Sequence, residues 1–208
     1  LAAFDIDTLP VGVRLEPRYN IAPSQDVAIV RATDGRRTLQ LARWGLVPGW
    51  SKEAKPRYAT INARVESVAD KPAYRVPFRR KRCLVPADGF YEWQAGNDGK
   101  TPYHICMQDR AVFAFAGLWD HWEDEREAFD SCVIITAPAS GVMTDLHTRM
   151  PVIIDPADYD RWLDPACTET TDITPCLAGA PTARLTAWPV SRRVNSPKHD
   201  HSDCLLAD

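Results

Sequence analysis

The chain lacks the marks of several large function classes. No apolar run approaches the roughly 20 residues that cross a bilayer as a helix. The start, LAAFDIDTLP, has no basic stretch ahead of an apolar core, so it does not read as a signal peptide. No CxxC pair occurs, which excludes a zinc ribbon and a thioredoxin motif. GxGxxG, the Walker loop, the GxSxG elbow and HExxH are also missing, which removes the commonest dinucleotide, nucleotide, serine-hydrolase and metallopeptidase signatures. Net charge is small, −3 over 208 residues, so there is no global basic field for nucleic acid. No repeat, low-complexity tract or linker divides the chain, and residues 1–208 read as a single domain.

Hydrophobic content of 45% and charged content of 25% are ordinary for a folded globular protein. The six cysteines permit disulfides, but a chain of this length buries a sizeable core without them. Cys83, Cys106 and Cys132 lie in apolar, strand-like runs and read as small core residues. A reducing, cytoplasmic compartment is the expectation. The tail KHDHSDC offers His199, His201 and Cys204 near one another. A short histidine-rich end reads first as a solvated one, so neither metal nor cofactor is expected, and no membrane association. Arg75, Arg79, Arg80, Lys81 and Arg82 form a basic cluster that fits a local groove or a solvated helix face.

Strand patterns dominate. Asp26 to Trp44 reads as a hairpin turning at Asp34-Gly35. Short strands are expected over 59–64, 90–94, 102–108, 111–119, 132–136, 150–154 and 185–194, with a turn at Gly96-Asn97-Asp98-Gly99. Ser67 to Arg82 looks helical, broken or kinked by Pro72 and Pro77. Residues 138–146 suggest a short helix, and Asp155-Pro156 caps another through Trp162. Without regular βαβ alternation, the pattern argues for an α+β fold: a mostly antiparallel, barrel-like β core with peripheral helices.

One residue stands out in LVPADGFYEW (84–93). Glu92 lies between Tyr91 and Trp93 on what reads as a buried strand. A carboxylate in an apolar wall costs free energy unless it is paired, protonated or used, so Glu92 is a site candidate. The bland alternative puts it on the strand's wet face or beside an arginine. His147, Asn62 and Trp44 are unremarkable singly, since such residues edge strands, fix turns and fill cores.

Together the segments say more. RYNIAPSQ (18–25), RWGLVPGW (43–50), INARVES (61–67), RRKRCLVPADGFYEW (79–93), FAGLWDHW (115–122), LHTRMPVII (146–154) and VSRRVNSP (190–197) occur in this order. The chain closely resembles the SOS-response-associated peptidase (SRAP) family, from about Arg18 to Pro197. The resemblance implies a β-rich α+β domain with a positively charged cleft. It implies binding of single-stranded DNA and covalent capture of abasic sites through an N-terminal cysteine, exposed by self-removal of the initiator methionine. Such a protein is nucleoid-associated when bound to DNA.

Carried over by position, Asn62, Glu92 and His147 match the family's active-site residues. Arg64 and Arg149 match arginines that contact DNA phosphates. Trp44 and Pro23 match the DNA-lining surface, and Thr136 a polar residue near the abasic nucleotide. The family begins Met-Cys-Gly-Arg, whereas this sequence begins Leu1-Ala2-Ala3 and its first cysteine is Cys83. The crosslinking cysteine is therefore expected ahead of Leu1, and the 208 residues alone are expected not to crosslink. Glu92, His147 and Asn62 should converge where the first residue lies. The same residues would also suit a thiol peptidase acting on other proteins, or a non-enzymatic single-stranded DNA-binding module.

Overall fold

Asp34 and Gly35 take φ values of 50° and 73°. Two left-handed residues in succession are what a type I′ hairpin turn needs, and they join β1 (Asp26–Thr33) to β2 (Arg36–Trp44) as the sequence suggests. The computed structural model describes residues 1–6, 9–54, 60–96, 99–180 and 182–207. The remaining strands are β3 (Asn62–Arg64), β4 (Arg82–Ala87), β5 (Phe90–Gly96), β6 (Gly99–Met107), β7 (Phe113–Glu123), β8 (Ala128–Pro138), β9 (Arg149–Pro151) and β10 (Leu185–Pro189). The expected turn residues Asn97 and Asp98, and Ala59 of the expected 59–64 strand, lie outside the described residues.

The order β2-β1-β4-β7-β8 closes on itself, because β2 also pairs with β8 in parallel. The result is a five-stranded mixed barrel, and closure removes exposed sheet edges. β3 and β9 extend the end of β8, and β10-β6-β5 form a second, smaller sheet. Alternation along each barrel strand makes two apolar layers. Val27, Ile29, Ala42, Cys83, Val85, Phe115, Cys132 and Ile134 form the inner one, which continues into Phe90, Ile105 and Leu185 of the small sheet. Space there is tight: a Cβ on Gly117 would lie 2.8 Å from Cys83 Sγ and 2.9 Å from Val85. Val30, Leu84, Ala116, Leu118, Val133 and Ile135 form the outer layer.

Helices cover that outer layer: α1 (Arg75–Arg80), α2 (Tyr159–Leu163) and α3 (Thr170–Ile173). Trp162 of α2 is fully buried and donates its indole N–H to Cys83 O at 2.8 Å. Burying such a ring is worth on the order of 2–3 kcal/mol. The helix expected over 67–82 is cut to six residues. Residues 65–74 form turns, and Arg82 already starts β4. Pro72 and Pro77 each remove a backbone donor, which limits helical length. Arg82 is buried and donates to the carbonyls of Phe78 and Trp162, so it is internal scaffolding rather than part of a basic groove.

Candidate functional site

Strand pairing assembles the site before any side chain is placed. Residues opposite one another in a ladder share a face, and alternate residues face opposite ways. β8 presents one row: Cys132, Ile134, Thr136 and Pro138. Trp44 lies opposite Cys132, Asn62 opposite Ile134, Arg64 opposite Thr136, and Arg149 opposite Pro138. Trp44, Asn62, Arg64, Thr136 and Arg149 therefore share the inner face where β8 leaves the barrel. The expected residues are gathered by register, from β2, β3, β8 and β9.

β5 supplies the carboxylate. Its alternation sends Tyr91 and Trp93 to one side, against Tyr19, Val190, Val194 and Cys204. Phe90, on the other side, packs on the barrel's inner layer, and Glu92 and Gln94 follow it there by alternation. The aromatic neighbours thus turn away from Glu92, whose side chain is 24% exposed. This decides against a wall of aromatics around Glu92, one of the two readings that the sequence leaves open.

Glu92 Oε2 lies 3.9 Å from His147 Nδ1, and Oε1 accepts the Trp93 N–H at 3.0 Å. Gln94 donates to Asp145 O at 2.7 Å, tying β5 to the 3-10 turn Gly141–Asp145 that leads to His147. Met143 and Leu146 anchor that turn in the inner layer. The Arg149 N–H lies 3.1 Å from His147 Nδ1. An N–H can only donate, so this bond needs a bare Nδ1 and leaves the ring proton on Nε2. Protonation of Nδ1 would turn it toward Arg149 O, at 3.1 Å, or toward Glu92.

The two arginines differ. Arg149 is clamped by Glu66 through both guanidinium nitrogens, at 2.7 and 3.1 Å, and also donates to Thr136 O at 2.5 Å. The Arg149 hydrogen bond holds the Glu66 carboxyl below its ordinary range. Arg149 Nε is buried without a partner. Arg64 and Asn62 are exposed, and their side chains make no hydrogen bond or ion pair among the described residues. Thr136 is buried, its hydroxyl 3.4 Å from both Ala63 O and Arg149. Trp44 is half-buried and fixed by its indole N–H to Ile61 O at 2.9 Å. Pro23 is exposed beside it, since Ser24 donates its N–H to Trp44 O at 2.7 Å.

Glu66 escaped the sequence reading. The signal was there: Asn62, Arg64 and Glu66 follow a two-residue period. Two other expectations change. Lys81 of the basic run pairs with Asp120 at 2.6 Å and lies beside Trp119, near the start of β8 rather than its end. The first residues are not at the site either. Phe4 stacks on Tyr159, and Arg37 donates to Phe4 O at 3.1 Å. Arg37 pairs with Ala32 near the hairpin turn; seven residues separate it from Trp44, about 23 Å along a strand. Leu1 itself therefore does not complete the cleft.

Among the described residues, no helix is long and apolar enough to cross a membrane. Glu92 and His147 offer only two ligand groups, and the grouping that could hold a metal lies in the C-terminal tail.

Known proteins fit this arrangement. The SOS response associated peptidase (SRAP) family matches residues 3–197. The abasic site processing protein YoaM of Bacillus subtilis is 38% identical over 207 residues, covering 99% of this chain and 91% of its own. The abasic site processing protein HMCES of Xenopus tropicalis is 33% identical, covering 93% of this chain and 67% of its own. A crystal structure from Bacteroides thetaiotaomicron superposes with a TM-score of 0.79 at 27% identity, over 89% of this chain and 82% of that one. A phage-related protein of Bordetella bronchiseptica gives 0.72 at 32% identity, over 100% and 97%. A match across nearly the whole chain, with relatives at these identities, means that this protein belongs to the SOS response associated peptidase (SRAP) family.

Proposed function

We propose that the face formed by Trp44, Asn62, Arg64 and Arg149 binds single-stranded DNA, and that Glu92 and His147 serve covalent capture of abasic sites there. The observation that carries this reading is the placement of a carboxylate 3.9 Å from an imidazole beside a row of cationic and amide side chains. The relatives' names as abasic site processing proteins point the same way. Arginines meet phosphates and a flat indole meets unstacked bases, the two needs of single-strand binding.

The chemistry is as follows. An abasic site equilibrates with an open-chain aldehyde. In this capture the amine of an N-terminal cysteine condenses with the aldehyde carbon and releases one water. The thiol then adds to the resulting imine, its proton passes to nitrogen, and a thiazolidine closes. An α-amine has a reference pKa near 8, so a useful neutral fraction exists at neutral pH. Glu92 takes the amine's proton and returns it to the departing water. His147, with its proton on Nε2, donates to the sugar oxygen as the ring opens. Asn62 holds the amine or the leaving oxygen without titrating.

A positioned acid–base group contributes on the order of 10²–10⁴ in rate. In a chain given an N-terminal cysteine, Glu92→Gln should slow crosslinking to abasic single-stranded DNA by at least about 10²-fold, with binding to intact single strands retained. A wild-type rate would remove Glu92 from the mechanism. Intact-mass analysis reads the adduct directly. Turnover of added peptides would favour a thiol peptidase instead.

A further inference from the structure

We propose that the C-terminal tail carries a transition-metal site built from His199, Asp203 and Cys204. The expected solvated end is instead a folded strap. Asp200 accepts the backbone N–H groups of Tyr19 and Asn20, at 2.5 and 2.8 Å, and Asn20 donates to the carbonyls of Val194, Ser196 and His199. Trp188 donates to Leu205 O at 3.1 Å, and Cys204 packs fully buried behind Tyr91 and Trp93.

Within this strap, one imidazole nitrogen, one carboxylate oxygen and one thiol sulfur lie within 4.8 Å of one another. Tetrahedral zinc bonds of about 2.0–2.3 Å set ligand atoms roughly 3.3–3.8 Å apart, so the widest separation closes by about an ångström at most, while His199 Nε2 and Asp203 Oδ1, 2.8 Å apart, open by about half an ångström. The backbone holds them in place. Asp203 and Cys204 sit on the 3-10 turn Ser202–Leu205, and His199 donates its N–H to Ser196 O at 2.9 Å. Asp203 divides its carboxylate: Oδ2 accepts from Arg193 at 2.8 Å, while Oδ1 faces His199 Nε2 at 2.8 Å. An ion would occupy the Oδ1 side, with Arg193 orienting the ligand from behind. The His199 and Asp203 side chains are 29% and 32% exposed, which leaves an open approach. The fourth position is left to water.

A thiol, an imidazole and a carboxylate favour zinc or a similar borderline ion over magnesium or calcium, which take oxygen ligands. Binding balances simply. Cys204 loses its proton to solvent, the His199 proton moves from Nε2 to Nδ1, and the ion gains three ligands. The proposal does not depend on the DNA-processing reading.

The test uses the full chain, free of any histidine tag and stripped with a chelator. Zinc is titrated calorimetrically and cobalt is followed by absorption. One equivalent of zinc is expected, with a thiolate-to-cobalt charge-transfer band. His199→Gln, at a partly exposed position and checked for native folding by circular dichroism, should weaken zinc binding beyond the roughly 10–100-fold typical of losing an outer-sphere partner. Cys204→Ser should abolish the cobalt band. Equal zinc affinity in wild type and His199→Gln, or a cobalt complex without a thiolate band, would overturn the site.

Discussion

Arg64 and Arg149 share one sheet face but stand in opposite electrostatic situations. Arg149 is already neutralised by a bidentate carboxylate and oriented by Thr136. Arg64 makes no hydrogen bond or ion pair among the described residues, although its charge also acts on Glu66. A free guanidinium that meets a phosphate releases a counterion, and each such contact contributes about 0.7 to the salt slope on a single strand. Arg64→Ala should therefore lower the slope of log K against log salt by about that amount. The loss should not depend on base sequence, because phosphates carry none. Fluorescence anisotropy over a salt series measures it, and an unaltered slope would mean that Arg64 meets no phosphate. Glu66 acts at the same scale. It fixes the Arg149 guanidinium next to the backbone N–H that bonds His147, so one acidic residue outside the expected set organises two inside it.

At the scale of elements, the small sheet depends on a buried histidine. His104 lies on the central strand β6, opposite Tyr91 of β5 and Trp188 of β10, and its ring packs against both. A Cβ on Gly89 would lie 2.2 Å from His104 Nε2, so only glycine lets the ring sit there. Burial lowers the His104 pKa from 6.5 to about 4. The folded protein thus holds the ring neutral, and the unfolded chain takes up a proton first as pH falls. The stabilisation is complete above pH 6.5 and is lost as pH drops toward about 4, at about 1.4 kcal/mol per unit. Urea titrations at pH 7 and pH 4.5 should differ by about 2–3 kcal/mol more in wild type than in His104→Gln; equal pH dependence in the two would show that the ring is not held neutral.

The same elements mark what the sequence could reveal. Strands such as β1 and β2 were legible because their alternation and their Asp34-Gly35 turn are local properties. The shortened α1 was half-legible: Pro72 and Pro77 announced a break, but where the helix begins is set by the packing of Phe78 on Trp162. Site residues were legible as motifs and their convergence followed from the resemblance, whereas the strand pairing that gathers them was not legible. It is the parallel pairing of β3 with β8, a contact between segments some 70 residues apart. The face that Glu92 presents stayed open in the sequence, since flanking aromatics say nothing about which side of a strand is wet.

For the molecule as a whole, the strap ties the C-terminal segment to Tyr19 and Asn20 across the back of β5. It supplies the Asp200 oxygen that accepts both the Tyr19 and Asn20 N–H groups and the carbonyl that receives Trp188, and it helps cover Tyr91 and Trp93, which alternate with Glu92. Removing residues after Pro197 would bare those rings and leave the Tyr19 and Asn20 N–H groups to water. Water can replace part of the hydrogen bonding but none of the apolar cover, so a loss of about 3 kcal/mol is the reasonable scale. In a chain of this size that lowers the melting temperature by roughly 6–12 °C. The loss should reach function through geometry. β5 is held on the site side by Gln94 and Asp145 and on the other by the strap, so releasing one side loosens Glu92 against His147. The truncated chain, given an N-terminal cysteine and assayed well below its melting point, should crosslink more slowly while keeping the wild-type salt slope, because Arg64 and Arg149 stand on β3 and β9, away from the strap. A parallel loss of binding would place the strap in the DNA cleft itself, and an unchanged melting temperature would show that it carries no structural weight.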